Sequence, residues 1–332
     1  MNGAQLWLKA AAVGVLAAAL PLLIFGCGKN PECPQPADTT WPDKPGPKVV
    51  VSFAPLYCFT ANVAGDDATV KNVMTSKGPH DFDPTEADMR LVTKADLFFV
   101  VGLKLDEKKA ESMRDGSGNK QLRIVELGGM LDKKHLCESK CTHTDHTDHK
   151  HDKDPHVWLS PDHAIMLTNF IRDELKIADP DHAAGYEARA GAYVTKLKAI
   201  KTYGTEKLKD KKDNRLVSFH DSLAYFEEAF KLDVRGVLTK HPGQEPVAKE
   251  MSELIRLCTK KGAETRVIAT EPQYSTSGSG EALRKELIAK GVVDPVLVEL
   301  DPLETVKPED LTLDWYEKKM RENLDALAKA MK

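Results

Sequence analysis

Eight short apolar or β-branched runs, separated by helical patterns, constrain the fold of this chain more than any other feature. Lys48–Phe53, Thr69–Met74, Leu97–Val101 and Arg123–Glu126 form a first group. Arg215–Phe219, Val234–Val237, Arg266–Thr270 and Val296–Leu300 form a second. Helical patterns lie between them at Pro84–Lys94, Ser222–Phe230, Val247–Lys261 and Glu281–Lys290, with Pro84 suited to a first helical turn. Strands alternating with helices predict parallel sheets covered on both faces. The expected fold is α/β in two lobes, 48–178 and 213–332, each a mainly parallel sheet flanked by helices.

The stretch between the two groups is different. Asp181 to Lys212 contains no proline, and Tyr186, Ala190, Tyr193, Leu197 and Ile200 recur at nearly helical spacing. Gly185, Gly191 and Gly204 weaken that pattern. A helix of about 30 residues would be about 45 Å long. A linking segment at 179–212 would then join the lobes as one stiff backbone helix.

The N-terminal residues carry their own signals. Residues 1–26 hold Lys9 as the only charge, then an apolar run from Ala10 to Phe25 that closes on Leu23-Ile24-Phe25-Gly26-Cys27. The run is shorter than the about 20 residues of a membrane span. A charged start, an apolar stretch and a small residue before the cut describe a secretory signal. A cysteine directly after them resembles a bacterial lipoprotein signal with Cys27 lipidated. Residues 27–47 contain six prolines from Pro31 to Pro47 without apolar periodicity, as expected of an extended tether. The compartment implied is extracytoplasmic, at a periplasmic membrane or the cell surface. A net charge of −4 offers no basic surface for nucleic acid. With Cys27 set aside, Cys33, Cys58, Cys137, Cys141 and Cys258 leave an odd number. The close spacing of Cys137 and Cys141 makes them the candidate disulfide, or an auxiliary metal pair.

Chemistry concentrates around residue 150. His143, His146, His149 and His151 stand among aspartates, followed by Asp154-Pro155-His156-Val157-Trp158-Leu159-Ser160-Pro161. Imidazole is a common ligand for transition metals, and a short His-rich tract is a compositional sign of metal binding. The tract at 142–152 reads as a second, weaker metal loop, or else as a polar surface insertion. His156 is set apart by Pro155 and Trp158, which imply fixed packing. No His-Glu-x-x-His is present for a zinc protease. The stretch Asp115 to Glu126 has Lys120 where an EF-hand loop needs glycine.

Four segments, taken in order, resemble the metal-binding family of ABC-transporter substrate-binding proteins: Gly78-Pro79-His80-Asp81-Phe82-Asp83-Pro84-Thr85, the Asp154–Pro161 segment, Phe219-His220-Asp221-Ser222, and Leu300-Asp301-Pro302-Leu303. The resemblance spans roughly residues 48 to 330. It implies a zinc- or manganese-delivering lipoprotein with two α/β lobes on one long helix, and His80, His156, His220 and Asp301 as ligands. His220 and Asp301 directly follow expected strands, where α/β sheets bind ligands. Three histidines and one carboxylate suit tetrahedral Zn2+ better than Mn2+. Glu271, at another strand end, is a rival carboxylate or an outer partner that orients a histidine. The resemblance also implies a membrane permease as partner and a monomeric carrier that catalyses no reaction. A manganese carrier of the same family, an adhesin or zinc chaperone, and a zinc hydrolase are the competing readings.

Overall fold

The computed structural model describes residues 40–138, 153–239, 244–274 and 278–332. The leader, Cys27, Cys33, Cys141 and the tract His143, His146, His149 and His151 lie outside the described residues. No described helix is long and apolar enough to cross a membrane.

The first lobe alternates strictly: β1 (Lys48–Val51), α1 (Ala54–Ala64), β2 (Thr69–Asn72), α2 (Glu86–Val92), β3 (Leu97–Val100), α3 (Glu107–Ser117) and β4 (Arg123–Glu126). Its sheet has the order β2-β1-β3-β4, all neighbours parallel. β1 and β3 are buried almost throughout, which explains their continuous apolar runs. α2 starts later than Pro84 suggests. The Thr85 hydroxyl accepts from the Asp88 N–H while Asp88 Oδ2 takes the Thr85 N–H at 2.8 Å, so this capping box sets the boundary and leaves Pro84 outside.

The chain continues through α4 (Pro161–Ala178) and α5 (Ala183–Leu208). It then repeats the pattern with β5 (Arg215–Ser218), α6 (Ala224–Phe230), β6 (Asp233–Val237), α7 (Ala248–Cys258), β7 (Val267–Thr270), α8 (Ser279–Ala289) and β8 (Val296–Glu299). The second sheet is again parallel, in the order β6-β5-β7-β8. All eight expected runs form strands, their ends shifted by at most two residues.

α5 has 26 residues and is therefore about 39 Å long. Its apolar positions, Tyr186, Ala190, Tyr193, Leu197 and Ile200, are buried as their spacing suggests. Gly204, unfavourable by propensity, has a packing reason. A Cβ there would stand 2.2 Å from the Phe230 ring and 2.8 Å from Leu324, so only glycine lets α6 approach so closely.

α9 (Trp315–Ala330) packs on α5, α1 and β8, and so reaches the first lobe from the end of the chain. Asn62 of α1 donates to the Leu313 carbonyl at 2.8 Å, and the Tyr193 hydroxyl of α5 lies 3.2 Å from Glu317 of α9. One hydrophobic cluster contains buried residues from both sheets and from α4, α5 and α9, while a smaller one lies under α7 and α8. A shared core of this kind resists independent movement of the two sheets.

Candidate metal centre

Both sheets change winding direction at their centres, between β1 and β3 and between β5 and β7. Crevices at the carboxyl ends of strands beside such points are where α/β sheets collect ligands. His220 follows β5 and Glu271 follows β7, so both flank the second of these points. His80 comes from the β2–α2 connection, and His156 from the segment entering α4.

The structure brings His80, His156 and His220 together, and a fourth donor joins them: Glu304. The Nε2 atoms of His80 and His220 each lie 3.2 Å from His156 Nε2. Glu304 Oε1 lies 3.3 Å from His80 Nε2, 3.3 Å from His156 Nε2 and 3.5 Å from His220 Nε2. The edge of a tetrahedron is about 1.6 times its centre-to-corner distance, so these five edges match a central ion about 2.0–2.1 Å from its donors, the Zn–N distance, while the His80–His220 edge lies within 4.8 Å. Glu304 Oε1 is buried without a well-formed hydrogen bond. An orphaned carboxylate oxygen facing three imidazole nitrogens is the arrangement a cation completes.

Two of the histidines are oriented by carboxylates. Asp154 Oδ1 accepts the His156 backbone N–H at 2.8 Å and lies 2.8 Å from its Nδ1. Glu271 Oε1 lies 2.6 Å from His220 Nδ1 and accepts the His220 backbone N–H at 3.4 Å. A carboxylate at Nδ1 holds the proton there and leaves the Nε2 lone pair for the ion. Glu271 therefore takes the outer of its two anticipated positions. Trp158 fixes the His156 segment to the second lobe by donating from Nε1 to the Pro302 carbonyl at 2.8 Å.

Charge in the cluster is strongly coupled. Burial by itself would lower the His156 value, but Asp154 and Glu304 outweigh it and raise it to about 9. Burial is likewise outweighed at His220, where Glu271 and Glu304 push the value well above normal. Burial would raise the Glu304 carboxyl, yet the surrounding imidazoles hold it well below the usual range.

Asp301, the carboxylate expected from sequence, is not among the converging donors. Its Oδ1 accepts the Leu303 N–H at 2.8 Å and its Oδ2 pairs with Lys319 Nζ at 3.4 Å. Asn323 brackets its backbone, accepting from the N–H at 2.9 Å and donating to the carbonyl at 2.7 Å. Asp301 thus builds a turn through Leu303, which has a φ of 63°, and that turn delivers Glu304 to the cluster. Glu304 and Asp154 were the residues sequence reasoning missed. Both lie within or beside the motif segments, which was the only available signal. Cys137 carries a free thiol with Sγ 3.7 Å from Glu228 Oε2, and its expected partner Cys141 is outside the described residues.

Fold and site together give a bilobal α/β body with one cluster of four potential metal donors drawn from both halves. The profile of the ZnuA family, described as zinc-uptake complex component A, periplasmic, matches residues 49–330, and the chain belongs to that family. The zinc-binding protein AdcA of Streptococcus pyogenes serotype M3 is 30% identical over 292 residues, covering 84% of this chain and 55% of that protein. This chain therefore spans only about half the length of that relative. The manganese-binding lipoprotein MntA of Halalkalibacterium halodurans is 28% identical over 71% of this chain and 73% of its own length. Among solved structures, a Zn(II)-bound mutant variant of AdcAII from Streptococcus pneumoniae superposes with a TM-score of 0.72 at 27% identity, over 86% of this chain and 99% of that one.

Proposed function

We propose that this protein captures Zn2+ outside the cytoplasm and hands it to the membrane permease of an ATP-driven importer. The observation that carries this reading is the closure of four protein donors, three imidazoles and one carboxylate oxygen, around a gap of zinc size. Zinc accepts a tetrahedral N3O set without penalty, whereas manganese favours oxygen-rich octahedral surroundings. An ion held by four protein ligands keeps no position for water, so binding and transfer are the proposed activities and hydrolysis is not.

The further parts of the proposal come from sequence. Cys27 carries a lipid that keeps a monomeric carrier beside its permease, and residues 142–152 collect zinc more weakly than the buried site. Deleting 142–152 should leave the tight site intact and reduce only the number of weakly bound ions.

Titrating zinc into the metal-stripped soluble form tests the main reading. One tight site is expected, with manganese unable to displace stoichiometric zinc. A protein that binds no zinc tightly, or in which manganese wins an equal competition, would refute it.

A further inference from the structure

Glu304 presents its two carboxylate oxygens to different surroundings. Oε1 faces the three Nε2 atoms, whereas Oε2 is engaged by Gln273, whose Nε2 lies 3.3 Å from it and 3.2 Å from Glu271 Oε2. Both partners are carboxylate oxygens, and the amide turns its NH2 group toward them. Gly78 covers the same oxygen from the first lobe. A Cβ on Gly78 would stand 3.3 Å from Glu304 Oε2 and 3.1 Å from its Cβ.

Gln273 is itself well fixed. It lies in the single turn Pro272–Tyr274 that leaves β7. The residue two before it, Glu271, clamps His220, and the one after it, Tyr274, donates its hydroxyl to Asp81 at 2.9 Å and stacks on Phe219. The backbone of the turn is therefore held on both sides of Gln273, which places its amide between the two carboxylates.

We propose that Gln273 is a specificity-determining residue: by occupying Oε2 it restricts Glu304 to one oxygen and keeps the bound ion four-coordinate. Zinc loses nothing in that geometry. Manganese and calcium, which take six or more mostly oxygen ligands, lose the second carboxylate oxygen that would help complete their shell. Gln273 is a positioning residue because it acts through Glu304 and not on the ion. The inference rests on the zinc-carrier reading and adds the reason for its selectivity.

Gln273→Met keeps the length of the side chain and removes its donors, and Gln273→Ala removes the side chain altogether. Zinc and manganese affinities of the metal-stripped full chain are measured by chelator competition for wild type and both variants. Co2+ reports coordination number, because a four-coordinate ion absorbs visible light far more strongly than a six-coordinate one. In both variants zinc affinity should fall about 10-fold or more, as for other outer contacts of a metal site. Manganese affinity should hold or rise, so the Zn/Mn ratio drops by at least that factor, and the Co2+ bands should weaken. Variants that melt like wild type when metal-free but keep its Zn/Mn ratio and Co2+ spectrum overturn the inference and leave the carrier reading standing. Equal loss of both metals with an unchanged Co2+ spectrum also overturns it, since that marks mere structural support. A wild type without a tight zinc site removes the carrier reading and this inference together.

Discussion

His156 and His220 reach the metal site in one way and His80 in another. The first two rings are only 3% and 2% exposed, and each has Nδ1 on a buried carboxylate. The His80 ring is 26% exposed. Among the described residues its loop is held through the main chain instead: Lys109 Nζ donates to the carbonyls of Pro79 and, at 3.1 Å, His80. Two donors and Glu304 thus form a preorganised half-cage, and the third imidazole closes it from the solvent side. On the proposed reading, the clamped pair holds the ion and His80 admits it.

The largest effects should follow from removing a clamped histidine. His220→Ala leaves Glu271 buried without a cationic partner, a loss of about 3–5 kcal/mol when a buried pair is broken. His156→Ala does the same to Asp154. Both should lower the melting temperature of the metal-free protein and weaken zinc by more than the about 100-fold typical of an outer-shell change. His80→Ala should also weaken zinc strongly, yet cost under about 1 kcal/mol in stability, as its ring is partly exposed and Glu304 keeps two imidazoles. If the three variants melt alike, the division into a rigid half and a closing residue is wrong.

Acid should act on the clamped half first. Zinc needs neutral imidazole, and the metal-free site binds more protons than the loaded one, so acid favours release. Buried His156 is held near 9 by Asp154 and Glu304, and His220 is raised in the same sense. Affinity should therefore already be falling as pH drops from 9 to 7, rather than only below the ordinary histidine value of about 6.5. Each proton displaced contributes about 10-fold per pH unit. Calorimetry in buffers of different ionisation enthalpy at pH 7.5 counts the protons released. A count near zero would mean that the carboxylates do not keep these rings protonated.

A pair of carboxylate variants sets the sequence against the structure. Glu304→Gln should cost zinc about 100-fold or more, because it removes the charged donor from the cage. Asp301→Asn should cost about 10-fold or less, acting only through the turn that carries Glu304. The reverse order would restore Asp301 as the ligand.

That contrast also shows how far the sequence could be read. Strands buried on both faces announce themselves as continuous apolar runs, and so β1, β3, β5 and β7 were legible, as was α5 from its spaced aromatic and aliphatic residues. Histidines were legible because each sits in a short segment with its own punctuation. Glu304 was not, since a left-handed Leu303 turns the chain between Asp301 and Glu304, and nothing in a leucine codes for that conformation. Asp154 was hidden for a similar reason: its role depends on reaching two nitrogens of His156, two residues away, which only the folded backbone specifies. The return of α9 to the first lobe was equally invisible, being a contact between distant segments.

The smallest expected effect lies at the entrance. Tyr274, on the second lobe, donates its hydroxyl to Asp81, the neighbour of His80 on the first, at 2.9 Å. Tyr274→Phe removes one partly exposed hydrogen bond of about 1 kcal/mol while keeping the ring on Phe219. If that bond forms chiefly when His80 has closed on the ion, its loss should appear in zinc release, about fivefold faster, with capture unchanged. Stopped-flow release to a chelator distinguishes the cases. Equal acceleration of capture and release would mean that the contact slows passage without favouring the closed state. An unchanged release rate would mean that His80 is retained by Lys109 and the ion alone, and that the entrance needs no bond between the lobes.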